Sequence, residues 1–348
     1  MQGISQSAGK ERADRTGRRV EILNGSDRSF DIERVTNVVK MLFLYSARVV
    51  LPYVPLRALY LLGDFAGKLL AGEKIQIMKE DIRMLLGDVS GAELQSIVER
   101  AMRNFRKDLF EIWSFPKLTQ KKINKMSFFS GIEHLDNAMR KGKGVILCIT
   151  HFGSWKMVLP ALGYNGYKVN QVAANPKVFV RNEEMCSHNK IMELELECEA
   201  SLPAEFFYVD AKKSVRRIYR ALEHNEIVVI ALDGVIGGSR MAVPFLNGEI
   251  LLSTGAAALS YTTGAPSLPI FIVREKNNRH KMIIHGPIEF DRGIGKEEYI
   301  RKWIWAFALI FEEYVRKHPD HYARFLYTIR KYPVSEVGMI LKSGSENG

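Results

Sequence analysis

The residues of this 348-residue chain best suited to chemistry lie in one short stretch, Gly142-Lys-Gly-Val-Ile-Leu-Cys-Ile-Thr-His151-Phe-Gly-Ser-Trp155-Lys156. An apolar run ends at Thr150, His151 follows at once, and Gly153 and Ser154 then supply residue types that suit a tight turn and a helix cap. The pattern reads as a strand that delivers an imidazole to its C-terminal end, the edge of an open α/β sheet where ligands bind. An imidazole there can serve as a general base near neutral pH; its plain alternative is a hydrogen-bonded core histidine. Asp233 closes a second apolar run, Glu226-Ile-Val-Val-Ile-Ala-Leu. It is the best-placed carboxylate to orient His151, although an Asp before Gly234 also suits a simple turn. Arg240, beyond Gly237-Gly238, is a candidate for holding phosphate, with a solvated loop charge as the alternative. Gly255, after Ser253-Thr254, opens a helix whose free N–H groups could cradle an anion or oxyanion, or could need only a cap.

Those groups need a scaffold. After the basic run Lys121, Lys122 and Lys125, short β-rich runs alternate with helical stretches: GVILCIT, YKVNQVAA, EIVVIAL, a loop, a helix from about Thr254, SLPIFIV, HKMIIHGPI and a closing helix over 297–317. That alternation predicts an α/β fold with a mostly parallel sheet flanked by helices. Upstream, 73–116 carries apolar residues at helical spacing, and Ser90 with Glu93 forms a capping box. Residues 35–72 are apolar, but Lys40, Arg48, Arg57 and Asp64 interrupt them before the roughly 20 uncharged residues of a spanning helix accumulate. Helices lying in the headgroup zone, split at Pro52 and Pro55, are expected there; a helical hairpin packed on the core is the plainer reading. The uncharged stretch 250–273 is interrupted by Gly264, Pro266 and Pro269, so it reads as a helix followed by a strand. The expected organisation is a basic disordered tail over 1–30, a helical membrane-associated region over 31–125, an α/β core over 126–333 and a flexible tail over 334–348.

Composition narrows the function. The chain is 47% hydrophobic and 26% charged, which suits a globular protein and excludes fibrous and wholly disordered classes. Three cysteines, Cys148, Cys186 and Cys198, have no metal-site spacing and no even count for a disulfide framework, so no metal is expected. A net charge of +11 points to a polyanionic partner. Lys213, Arg216, Arg217 and Arg220 recur at helical spacing, either as a positive stripe for such a partner or as a solvated face. No nucleic-acid-binding signature, nucleophile elbow or P-loop is found, and the polar N-terminus, with five Lys or Arg ahead of Val20, does not read as a signal peptide.

From about residue 45 to 330 the sequence resembles the bacterial lipid A biosynthesis acyltransferases, the lauroyl and myristoyl transferases of the lysophospholipid acyltransferase superfamily. Their His-x-Gly-Asn-Trp-Glu block, the HX4(E/D) signature, is matched by His151, Gly153, Ser154 and Trp155. The following blocks are matched by Ile230-Ala-Leu-Asp233, Val243-Pro-Phe245, Gly255 and Thr263-Gly-Ala-Pro266. A terminal block resembles His318-Pro319-Asp-His-Tyr322-Ala-Arg324, with Tyr322 standing for the usual Trp. Asn247 occupies the usual Gly place of the Phe-x-Gly turn, and Lys156 stands where the family has its carboxylate, so the signature reads HX4K.

The resemblance implies a glycerol-3-phosphate acyltransferase-like fold on the cytoplasmic face of the bacterial inner membrane. It implies His151 as general base toward a sugar or glycerol hydroxyl that attacks the thioester of acyl carrier protein or coenzyme A, with no further cofactor. Gly153, Ser154, Trp155, Lys156, Arg240, Phe245 and Gly255 are the implied substrate-binding positions. A lysine cannot accept the imidazole N–H, and its charge opposes imidazolium formation. Three arrangements stay open: Asp233 orients His151, a backbone carbonyl does so at reduced rate, or the protein is a lipid-binding pseudoenzyme. On this reading Lys156→Glu is expected to preserve or raise activity.

Overall fold

The runs Val145–Ile149, Ile227–Ala231 and Ser267–Arg274 are buried along nearly their whole length, the signature of strands covered on both faces. In the computed structural model they lie at the heart of one sheet. The structure describes residues 45–46, 48–68, 72–174, 186–208, 212–234 and 238–330; the tails expected over 1–30 and 334–348 lie outside these. The chain divides into residues 1–46, of which only Tyr45 and Ser46 are described, and residues 47–348, which hold every element below.

The sheet has seven strands: β1 (Ser127–Ser130), β2 (Val145–Ile149), β3 (Val169–Ala173), β4 (Glu205–Tyr208), β5 (Ile227–Ala231), β8 (Ser267–Arg274) and β9 (His280–Ile284), in the order β1-β9-β8-β2-β5-β3-β4. All neighbours run parallel except β8 and β9. β6 (Arg240–Phe245) and β7 (Gly248–Ser253) form a separate antiparallel hairpin. This hairpin corrects the loop expected after the EIVVIAL run: its two-residue turn is closed by Leu246 at φ 54°, a left-handed conformation that a bulky residue rarely signals in sequence. β1 and β4 leave no clear mark in the sequence, because four residues carry too little periodicity.

Helices α1 (Leu56–Lys68), α2 (Gly72–Leu86), α3 (Gly91–Trp113) and α4 (Gln120–Met126) precede the sheet. A 3₁₀ turn at Leu51–Tyr53, with Pro52 inside it, and an extended Val54 separate α1 from the helical residues before it. Ser90 caps α3 by accepting from the Glu93 N–H at 3.2 Å, as the capping box predicts. Among the described residues no helix is long and apolar enough to cross a membrane. Following β1 come α5 (Ile132–Met139), α6 (Val158–Gly163), α7 (Cys186–Glu199), α8 (Lys212–Glu223), α9 (Gly255–Thr263), α10 (Lys296–Lys317) and α11 (Ala323–Arg330).

One face of the sheet, through Ile146, Cys148, Val228 and Ile230, packs with Ile218 of α8, Ala256 of α9 and Trp303, Phe307 and Phe311 of α10. A smaller cluster joins Met78 and Ile82 of α2, Leu94 and Val98 of α3, and Ala323 and Tyr327 of α11. α11 thereby packs on the N-terminal helices α2 and α3.

Candidate active site

Strand register brings the two sequence-selected side chains together. Ile149, the last residue of β2, pairs with Ala231, the last of β5, and the Leu232 N–H continues the ladder to the Ile149 carbonyl at 2.9 Å. Position 151 therefore falls opposite position 233, each two residues beyond its strand at the C-terminal edge. His151 Nδ1 lies 2.8 Å from Asp233 Oδ1, and the His151 backbone N–H donates to the same carboxylate, at 2.9 Å to Oδ2.

An ionised carboxylate can only accept, so Asp233 requires the proton on Nδ1 and leaves Nε2 with the basic lone pair. The imidazole is partly accessible, its side chain 23% exposed, while the Asp233 side chain is only 2% exposed. Phe325 of α11 stacks on the imidazole, ring centroids 4.2 Å apart and planes within 2° of parallel. Trp155 meets the ring edge-on at 4.8 Å. The dyad is thus one buried acceptor, one half-exposed base and two aromatic walls. Such a base can take a proton from an alcohol and return it to a leaving group.

The turn after His151 is fixed by its neighbours. Gly153 has φ +61°, its N–H donates to the His321 carbonyl at 2.9 Å, and a Cβ there would lie 1.9 Å from the Ile272 carbonyl oxygen of β8. Ser154 is buried; its hydroxyl donates to Asp108 and receives Arg274 at 3.2 Å. Arg274 in turn bonds Glu111 Oε1 and Oε2, each at 2.8 Å, and Glu111 Oε1 also meets His280 Nε2 at 3.0 Å. Burial alone would raise the Glu111 carboxyl, but Arg274 and His280 hold it well below the usual carboxylate range. This network pins α3 and β8 against the histidine's turn.

The sequence-selected positions divide into two sets. His151, Asp233 and Trp155 converge. Arg240 lies near them, donating to the Gly234 carbonyl at 2.6 Å, a backbone anchor beside Asp233. Gly255 follows Ser253, whose N–H bonds the Leu232 carbonyl, so it too adjoins the β5 end. The remaining expected substrate-binding positions lie in packed surroundings. Phe245 is fully buried in the main core. Gly153 serves close backbone packing, and Ser154 belongs to the buried ionic network.

Lys156 pairs with Glu195 Oε2 at 2.5 Å and Glu199 Oε1 at 2.6 Å on α7. Burial would depress its pKa, but the two carboxylates raise it, so the ammonium stays charged. The carboxylate that meets the imidazole comes from Asp233 and not from the fifth position after the histidine. Sequence reasoning assigned no role to Asp108, Glu111, Arg274, His321 or Phe325; each acts through partners more than 40 residues away, and no local pattern announces that.

Residues 28–330 match the family described as bacterial lipid A biosynthesis acyltransferase. The chain belongs to that family. No curated protein matches it in sequence. The 1-acyl-sn-glycerophosphate (LPA) acyltransferase PlsC of Thermotoga maritima is similar at 12% identity over 74% of this chain and 97% of that one, with a TM-score of 0.35. The protein is an acyltransferase that transfers acyl chains to a lipid, on the strength of the family match. Among the described residues of this acyltransferase no group of His, Cys, Asp and Glu could hold a metal ion.

Proposed function

We propose that the protein is a membrane-associated O-acyltransferase of lipid A-type biosynthesis. It moves a fatty acyl chain from an acyl thioester, borne by acyl carrier protein or coenzyme A, to a hydroxyl of a glycolipid or lysolipid. The observation that carries this reading is the His151–Asp233 pair, with Nδ1 engaged and Nε2 open. His151 Nε2 takes the acceptor's hydroxyl proton as the oxygen attacks the thioester carbonyl. The tetrahedral intermediate collapses, the C–S bond breaks, and the leaving thiolate recovers the proton from the imidazolium. Ester and thiol are the products, and the balance needs no resident cofactor. Asp233 orients the ring and offsets the imidazolium charge.

Membrane association at the cytoplasmic face of the inner membrane is part of the proposal. Val49, Val50, Tyr53, Leu61, Leu62 and Phe65 are all at least half exposed on or just before α1, six large apolar side chains within 17 residues, more than single scattered residues explain. Its partner is anionic lipid, in keeping with the net charge of +11. Exposed Arg216, Arg217 and Arg220 on α8 offer cationic side chains to an acidic carrier or headgroup.

The test is His151→Ala in the full chain, assayed for thiol release from long-chain acyl-carrier and acyl-coenzyme A thioesters with lysolipid-containing vesicles. General-base loss is expected to lower turnover by about 10²- to 10⁴-fold with the melting temperature unchanged. Undiminished turnover by the variant would overturn the assignment.

A further inference from the structure

We infer that Tyr322 is a positioning residue of the acyl-transfer site, acting on His151 through the Asp233 carboxylate; this rests on the dyad reading above. The Tyr322 hydroxyl donates to Asp233 Oδ2 at 3.1 Å, from a position 89 residues further along the chain. Asp233 is buried, and a buried carboxylate must have its lone pairs answered by donors. Two of its donors, the His151 N–H and Nδ1, belong to the residue it has to orient. Tyr322 is the partner that comes from elsewhere, so it fixes the carboxylate against the frame of the protein rather than against the imidazole itself.

The phenol suits that duty. Tyr322 is 1% exposed, wedged edge-on to Phe311 of α10 with ring centroids 5.0 Å apart, and lies against Phe325, which itself stacks on His151. Burial and the neighbouring Asp233 carboxylate both hold the hydroxyl protonated, which keeps it a donor. Tyr322, between the 3₁₀ turn Pro319–His321 and α11, thus anchors the carboxylate, and Phe325 of α11 walls the ring.

The experiment is a double-mutant cycle of Tyr322→Phe and Asp233→Asn in the full chain, with kcat and KM measured for acyl transfer to lysolipid vesicles. Tyr322→Phe loosens the carboxylate that orients the ring and is expected to lower kcat about tenfold while KM stays within about twofold. In the Asp233→Asn background the same change is expected to alter kcat by less than about twofold, because the charged carboxylate that Tyr322 holds against His151 is no longer there. A loss of equal size in both backgrounds, or none in the native background, overturns the inference. If His151→Ala leaves turnover intact, the functional reading itself falls, and that outcome is distinct. Should Tyr322→Phe fail to fold, 3-fluorotyrosine placed at position 322 gives the same decision. Its fluorine resonance moves on Asp233→Asn if the hydroxyl is bound to that carboxylate, and an unmoved resonance refutes it.

Discussion

Lys156 Nζ lies 2.5 Å from Glu195 Oε2, and this contact joins the turn after His151 to α7. A cation at the fifth position after His151 is therefore a clamp between two segments of the fold. The pair is mostly shielded from water, each side chain 21% exposed, and Glu199 closes it from a second side at 2.6 Å. Removing one partner of such a pair leaves charge uncompensated.

It follows that Lys156→Glu, which the signature alone marks as restorative, is damaging. Three carboxylates would crowd one site, at a cost of about 3 kcal/mol or more in stability. Thermal melting of Lys156→Glu and of Lys156→Glu/Glu195→Lys checks this. The single variant should melt well below the native protein and lose activity in step, and the charge-swapped double should recover part of both. A single variant with native melting temperature and higher turnover would return Lys156 to the position of a degenerate catalytic residue.

Gly153 cannot be replaced by alanine without moving backbone. Its φ of +61° disfavours any side chain, and a Cβ would meet the Ile272 carbonyl at 1.9 Å. Gly153→Ala is expected to lose more than about 2 kcal/mol of stability. The matched control Gly142→Ala shares the positive φ of +68° but has open space around it. Chemical denaturation should show the Gly153 variant as the weaker of the two; equal midpoints would mean that the approach to β8 is not tight.

Acid should unfold the protein partly through Glu111. Its carboxyl is held below the ordinary value of 4.5 by Arg274 and His280 in the folded state. A depressed folded pKa contributes stability that is complete above the unfolded value and is lost as pH falls through the folded one. The melting-temperature gap between native protein and Glu111→Gln should accordingly be constant above about pH 5.5 and narrow below pH 4.5. A gap that does not change with pH would exclude this ionic contribution.

The exposed apolar stretch at α1 predicts where the protein goes. Leu61 is 71% exposed and Phe65 66%, and transfer of such side chains into the headgroup zone is favourable by about 25 cal/mol per Å². Leu61→Asp/Phe65→Asp should move the protein from sedimenting vesicles of anionic phospholipid to the supernatant without altering its melting temperature. Deletion of residues 1–72 should do the same in cell fractions. Unchanged sedimentation of the double variant would place membrane contact elsewhere.

Much of the fold was legible because it rests on local chemistry. The fully apolar runs around Leu147, Val229 and Ile270 announce buried parallel strands, and Ser90 with Glu93 announces the start of α3, since burial and capping both act within a few residues of sequence. His151 was legible for the same reason: an imidazole at the end of an apolar strand is a local pattern. Asp233 was visible as a carboxylate at another strand end, but its bond to His151 depends on β2 pairing with β5 in the register that sets Ile149 beside Ala231. Nothing in either run specifies its neighbour. The same limit hid the roles of Tyr322, Phe325 and Arg274, whose partners lie far along the chain, and it made Lys156 look like a catalytic defect. Sequence determined which residues end which strands, because hydrophobic burial is written in short range. Only the tertiary structure decided which of those ends meet, because pairing and charge complementarity act through space.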